Sequence, residues 1–380
     1  MSKPVPAPSK RSRATEAESP DRLVSLDALR GFDMFWIVGA EEVVRALEKA
    51  GHGPVSQFFV GQLTHKPWAG LTFYDLIFPL FVFIVGVSLV FSLSRALQQS
   101  GRAAALRRVL VRSVVLFVLG IIYYGGIAKG LEGVRLLGVL QRIALCYFFA
   151  GLLFCTLSLR GLIAACAGLL IGYWALMTFV PIPGVGAGHF NEGANLANYV
   201  DKQYLPFRKW DGDHDPEGLL STLPAIATCL FGVFAGILLK ASEKSAEQKV
   251  RWLAGGGLVA LLVGYVWGLQ FPIIKKLWTS SYVLVAAGYS ALFLALFFQV
   301  IDVWKLRRWA QPFVWIGMNP IAIYLAWEFI PFVDIANRIA GGPLKWHLGD
   351  YGEVLVSATV LGFVFLFSWF LYRRKLFLRV

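Results

Sequence analysis

His65 precedes Asp75 by ten residues in the stretch Thr64-His-Lys-Pro-Trp-Ala-Gly-Leu-Thr-Phe-Tyr-Asp75, at the mouth of a long apolar run. An imidazole gains and loses a proton near neutral pH, and a carboxylate bonded to one ring nitrogen leaves the other as a base. Pro67 and Trp68 stiffen the chain between the two. The pair predicts general acid–base chemistry. Glu41 with Glu42, Gln141 with Arg142, Asp215 with Glu217, Lys275 with Lys276, and Glu328 also fall at the ends of apolar runs. Each reads equally as an ordinary interfacial residue, and Asp75 with Arg142 as a buried ion pair. A second group is basic. Asp27, Arg30 and Asp33 recur every three residues along one helical stripe behind Ser25 as N-cap. Arg107, Arg108 and Arg112 share another, and Lys305, Arg307 and Arg308 form a third cluster. An anionic ligand would find cations there, although anchoring to lipid headgroups explains each residue singly.

The elements that carry these groups are apolar throughout. Hydrophobic residues make up 57% of the 380 and charged residues 16%, with a mean hydropathy of +0.63. Such a chain takes the bilayer as its solvent. Windows long enough to span it lie near 28–47, 72–97, 107–125, 136–157, 161–182, 217–241, 250–270, 280–302, 309–331 and 353–372. None alternates as a barrel strand would. The expected fold is therefore all-α, a polytopic bundle of about ten transmembrane helices.

An even count places both termini on one side. The termini and the loops on that side carry 21 of the 36 Lys and Arg, the opposite loops 12, so the termini are expected in the cytoplasm and His65 outside. The net charge of +13 then calls for anionic lipid and no nucleic acid. Residues 1–21 read as a disordered basic tail without a signal peptide's apolar core, and 22–380 as the membrane domain. Residues 183–216, rich in Gly and Asp, form a long outer loop of the kind that serves as a lid. Its Gly184-Val-Gly-Ala-Gly188 lacks the ending of a phosphate loop. The four cysteines all fall in apolar windows and read as small hydrophobes. The five histidines show no HxxxH or HxH spacing, so no metal is expected. Pro79, Pro224, Pro312 and Pro320 fall inside windows and are expected to break them.

The order of motifs resembles the heparan-α-glucosaminide N-acetyltransferase family. The likeness runs from Arg22-Leu-Val-Ser-Leu-Asp-Ala-Leu-Arg-Gly31 through His65-Lys-Pro-Trp-Ala-Gly-Leu-Thr72 with its continuation to Gly86, and Val134-Arg-Leu-Leu-Gly-Val-Leu-Gln-Arg142. It continues through Asp215-Pro-Glu-Gly218, Lys276-Leu-Trp-Thr-Ser-Ser-Tyr282 and Gly317-Met-Asn319. The resemblance implies a membrane enzyme that takes acetyl from cytosolic acetyl-CoA and delivers it to a glucosamine amine on the far side, with His65 as active-site group. It also implies two departures: no additional N-terminal lumenal domain, and Glu41 where the animal enzymes use an asparagine. On this reading His65 is base or acetyl carrier, oriented by Asp75. Asn319 or Arg142 polarises the thioester carbonyl. Glu41, Gln141, Arg142, Asp215, Glu217 and Lys276 surround the acceptor, while Arg30, Arg107, Arg108 and Arg112 hold the donor. A bacterial inner membrane is the expected location, and a homodimer stays open. Transfer to a hydroxyl of an envelope polysaccharide, or sugar transport through the broken helices, are the alternatives.

Overall fold

The computed structural model describes residues 23–51, 53–128 and 130–378, so the expected tail 1–21 lies outside the described residues. The helices are α1 (Val24–Phe35), α2 (Glu41–Ala50), α3 (Pro54–Gln62), α4 (Ile77–Tyr123), α5 (Val139–Thr156), α6 (Leu159–Phe179), α7 (Leu196–Tyr204) and α8 (Thr222–Lys240). They continue as α9 (Ala246–Gly268), α10 (Ser280–Phe297), α11 (Gln311–Gly317), α12 (Pro320–Phe329), α13 (Phe332–Ala340), α14 (Pro343–His347) and α15 (Gly352–Arg373). Among the described residues there are isolated β-bridges but no strand. The chain is an all-α polytopic membrane protein.

Among the described residues, seven helical elements are long and apolar enough to cross a membrane, those built on α4, α5, α6, α8, α9, α10 and α15. Ten windows were expected, and the difference has three local causes. Windows 72–97 and 107–125 belong to one element, α4, interrupted only at Gly101, where φ is 79°. That left-handed conformation suits glycine and turns the chain back. Leu89 and Val109, from the two arms, both flank Gly151 on α5. Window 28–47 is divided between α1 and α2 at Val38 and Gly39, which leave helical geometry. Window 309–331 is divided into α11 and α12 at Met318 and Asn319.

Three of the four prolines behave differently from expectation, while Pro320 follows the break of window 309–331 at Met318 and Asn319. Pro79 stands third in α4, Pro224 third in α8, Pro312 second in α11 and Pro320 first in α12. In a first turn the missing N–H has no intrahelical acceptor to lose. They begin helices and do not kink them.

Close backbone approach sets the packing between α4 and α8. A Cβ at Gly86 would overlap the Cys229 carbonyl, and one at Gly232 the Phe83 carbonyl. Lipid gives helices no hydrophobic reason to associate, so small residues that admit van der Waals contact hold the pair. Around this contact one buried cluster joins Leu89, Val90, Tyr147, Leu230, Trp278 and Tyr282 from α4, α5, α8 and the approach to α10.

Candidate active site

His65 lies in the loop between α3 and α4, and Asp75 in a short 3₁₀ turn, Phe73–Leu76, that feeds α4. Thr72 caps the turn: Asp75 Oδ2 accepts from the Thr72 backbone N at 3.1 Å and lies 3.0 Å from its Oγ1. The reciprocal cap between Thr72 and Asp75 therefore fixes the carboxylate independently of the histidine. Its other oxygen, Oδ1, is 2.8 Å from His65 Nδ1. A carboxylate can only accept, so the Nδ1 proton faces Asp75, and in the neutral ring the lone pair is on Nε2. Asp75 is 1% exposed and the His65 side chain 50%, which gives an imidazole oriented from within and open on its outer side. The Tyr282 hydroxyl donates to the Asp75 carbonyl at 2.6 Å, anchoring the turn to α10.

Two further groups reach this histidine. The Tyr74 ring lies 4.6 Å from the imidazole, centre to centre, and its hydroxyl is 3.3 Å from Glu41 Oε2. Glu41 thus stands beside the site, with Arg45 as its ion-pair partner. Lys275 places Nζ 3.0 Å from His65 Nδ1, 3.2 Å from Nε2 and 3.4 Å from Asp75 Oδ1. The Lys275 loop is tied to the His65 loop by a bond from Gly70 N to the Ile273 carbonyl, 2.9 Å, and by the bridge between Ala69 and Ile274. Burial pushes the Lys275 ammonium below lysine's ordinary range, against the pull of Asp75 and, farther off, Glu217 and Glu41. Sequence reasoning put Lys275 in this layer and gave the substrate role to its neighbour.

Several expected acceptor-binding residues have other work. Arg135, which sequence reasoning did not single out, is 3% exposed and donates through Nε and Nη2 to both oxygens of Asp215, at 2.9 and 2.6 Å. The same Nη2 reaches Glu217 Oε2 at 2.6 Å. Its guanidinium lies against the rings of both Tyr124 and Trp210, 4.5 and 4.8 Å from their centres. Asp215 and Glu217 are therefore occupied in bracing the end of the 183–216 loop, and Gln141 donates to the Arg135 carbonyl at 3.1 Å. Arg142 is 1% exposed, stacks over Trp278 at 4.9 Å and donates to the Gly218 carbonyl at 3.2 Å. Its Nε and Nη1 are buried without a partner.

Lys276 turns away from His65. Its Nζ is 2.9 Å from Glu192 Oε1 and 2.9 Å from Asp211 Oδ2, both in the loop. Burial works against that ammonium, yet the two carboxylates outweigh it and hold the proton above lysine's ordinary range. His214 Nε2 is 3.7 Å from each of the same carboxylates. Glu192, Asp211 and His214 have metal-type spacing, with ligand atoms within 4.8 Å of one another, and an ammonium of the chain itself stands among them.

The basic group lies at the other end of the bundle. A cavity of about 580 Å³ runs between the two arms of α4, lined on one side by Phe81, Val85, Ser88 and Ser92 and on the other by Arg108 and Arg112. Arg30 lines it too, donating to Ser88 Oγ at 2.7 Å and to the Gly317 carbonyl at 3.0 Å. Arg112 stacks on Tyr147, 4.7 Å from its centre. Arg107 is exposed and does not line the cavity.

Asn319 belongs to this end and not to His65. Its Nδ2 donates to the Leu376 carbonyl at 2.8 Å and its Oδ1 accepts from Leu378 N at 3.1 Å. Ser357, near the start of α15, bonds to the Glu42 carbonyl at the His65 end. The 22 residues of α15, about 33 Å of helix, then carry the chain to Asn319. Both groups of its amide are engaged by the C-terminal segment.

The family model "Heparan-alpha-glucosaminide N-acetyltransferase, catalytic" matches residues 22–267, which include His65, Asp75, Arg135, Arg142 and Asp215. The chain is similar to the heparan-alpha-glucosaminide N-acetyltransferase of Mus musculus, 28% identical over 427 residues that cover 96% of this chain and 62% of that protein. Against the Homo sapiens protein of the same name it is 28% identical over 422 residues, covering 95% and 60%. The chain thus spans about three fifths of the length of these relatives. With the family model covering well over half of it, from the α1 stripe through α9, the chain belongs to the heparan-α-glucosaminide N-acetyltransferase family.

Proposed function

We propose that this protein transfers acetyl from acetyl-CoA, taken up at the Arg30 end in the cytoplasm, to the amine of a glucosamine-type sugar at the His65 end on the far side of the membrane. The observation that carries the reading is an exposed imidazole whose Nδ1 is held by a buried carboxylate. That is the arrangement a base needs, and the family supplies the reaction class.

The cavity fits the donor in charge and in reach. Arg30, Arg108 and Arg112 suit the phosphates of the nucleotide end. Phe81 to Ser92 spans about 16 Å of helix, and Phe81 lies only about 9 Å of rise from Asp75. An extended pantetheine arm along α4 would bring its thioester toward His65. There Nε2 takes a proton from the acceptor amine, whose nitrogen attacks the carbonyl; the N–C bond forms, the C–S bond breaks and CoA leaves as thiolate. In the covalent variant Nε2 attacks first and holds the acetyl. Of the two groups assigned to the carbonyl oxygen, Asn319 is engaged elsewhere, while Arg142 keeps two buried donor nitrogens, Nε and Nη1, unpartnered. Glu41 beside Tyr74 supplies negative charge for the acceptor ammonium.

The test is direct: purified protein in nanodiscs, labelled acetyl-CoA and a panel of amino sugars, with the product analysed by mass spectrometry. N-acetylated glucosamine that disappears in His65→Ala is expected. An ester product would transfer the reading to a hydroxyl acceptor, and no acetylated product at all would end it.

A further inference from the structure

We infer that Lys275 is an internal amine acceptor: when no amino sugar is bound, the acetyl group is transferred to its Nζ, and the acetyl-lysine formed closes the site. The inference rests on the acetyl-transfer reading above for the arrival of the thioester at His65.

An acceptor amine must lie within hydrogen-bond reach of the base that takes its proton. Lys275 already does, at 3.2 Å from Nε2, and Asp75 at 3.4 Å gives the resting ammonium a counter-charge. The side chain is 23% exposed, so an acyl group delivered to His65 meets it without rearrangement of the core. Burial that disfavours its ammonium makes the neutral, nucleophilic amine easier to reach than on a surface lysine.

Lys276 provides the contrast within the same loop. It is a lysine of the same accessibility, 29% exposed, but its ammonium is held by Glu192 and Asp211 and faces away from the imidazole. Spontaneous acetylation also favours the lysine whose ammonium is disfavoured, so dependence on His65, beyond the difference between adjacent lysines, marks directed chemistry.

The step balances without a further reagent. The Lys275 ammonium gives one proton to Nε2, its lone pair attacks the thioester carbon, and the N–C bond forms as the C–S bond breaks. The second proton lost from nitrogen protonates the departing thiolate. The product is a neutral amide that no longer pairs with Asp75 and whose methyl group occupies space over His65. Turnover would fall with time whenever donor exceeds acceptor, a brake on acetyl-CoA consumption built from the acceptor position itself.

Full-length protein in nanodiscs, incubated with deuterated acetyl-CoA alone and digested, tests this by peptide mass spectrometry. The label on Lys275 is expected to exceed that on Lys276 by at least about tenfold, and to fall by about 10²-fold in His65→Ala, the lower bound for loss of a general base. Added glucosamine is expected to protect Lys275. Lys275 left unlabelled by donor alone, in a preparation that acetylates glucosamine once it is supplied, would overturn the inference and leave the function standing. Equal labelling of the two lysines, or labelling indifferent to His65, would overturn it as well by showing spontaneous chemistry. Neither glucosamine nor Lys275 acetylated would remove the transfer reading itself, and this inference with it.

Discussion

Asp75 does two jobs with two oxygens: Oδ2 completes the cap with Thr72 and Oδ1 orients His65. Asp75→Asn keeps the shape but presents an amide that can donate to Nδ1, favouring the tautomer with the proton on Nε2. Acetyl transfer is expected to fall by about 10²-fold or more, with acetyl-CoA affinity unchanged in equilibrium binding. An unchanged turnover would mean that the carboxylate orients nothing. Arg135 presents the opposite case, a residue whose importance is structural. Arg135→Met leaves Asp215 and Glu217 buried without their cation, which costs about 3–5 kcal/mol. Thermal unfolding in detergent is expected to show a large drop in Tm, and a variant as stable as the parent would mean that those carboxylates are protonated or solvated.

The loop 183–216 is an element held by charge. Lys276 clamps its two halves through Glu192 and Asp211. Because the folded-state proton affinity of Lys276 is raised, the clamp's contribution is fully present below the ordinary lysine value of about 10.4 and is lost as pH rises through the higher folded value. Hydrogen exchange of the loop amides is expected to stay slow through neutral pH and to speed up in Lys276→Met at every pH below that window; equal protection in the variant would refute the clamp. Such a contact is illegible in sequence, since 84 residues separate Lys276 from Glu192. The same holds for Lys275, 210 residues from His65, and for Arg135, 80 from Asp215. The His65–Asp75 pair was legible because both members lie ten residues apart in the one connection between α3 and α4. Hydropathy located the apolar windows but not the breaks at Gly39 and Asn319, since an interrupted helix is as apolar as a continuous one. Pro79, Pro224 and Pro312 misled for a related reason: only the start of the helix decides whether a proline breaks it or opens it.

At the scale of the whole molecule the two ends carry different chemistry, with the imidazole at one and the arginine-lined cavity at the other. A single arm of α4 connects them, from Asp75 at its entrance to Ser92 beside Arg108. This polarity makes the arrangement of groups testable by side. Replacing Arg30, Arg108 or Arg112 by Gln is expected to weaken acetyl-CoA binding by about tenfold each, as loss of a charge-assisted phosphate contact does. Arg107→Gln is expected to leave it unchanged, because Arg107 does not line the cavity. The proposed orientation adds a second arm. In right-side-out vesicles an impermeant histidine reagent added outside should modify His65, while acetyl-CoA should support transfer only when enclosed within. Modification from the enclosed side alone would place donor and base on one face of the membrane, and the cavity along α4 would then have no substrate to thread.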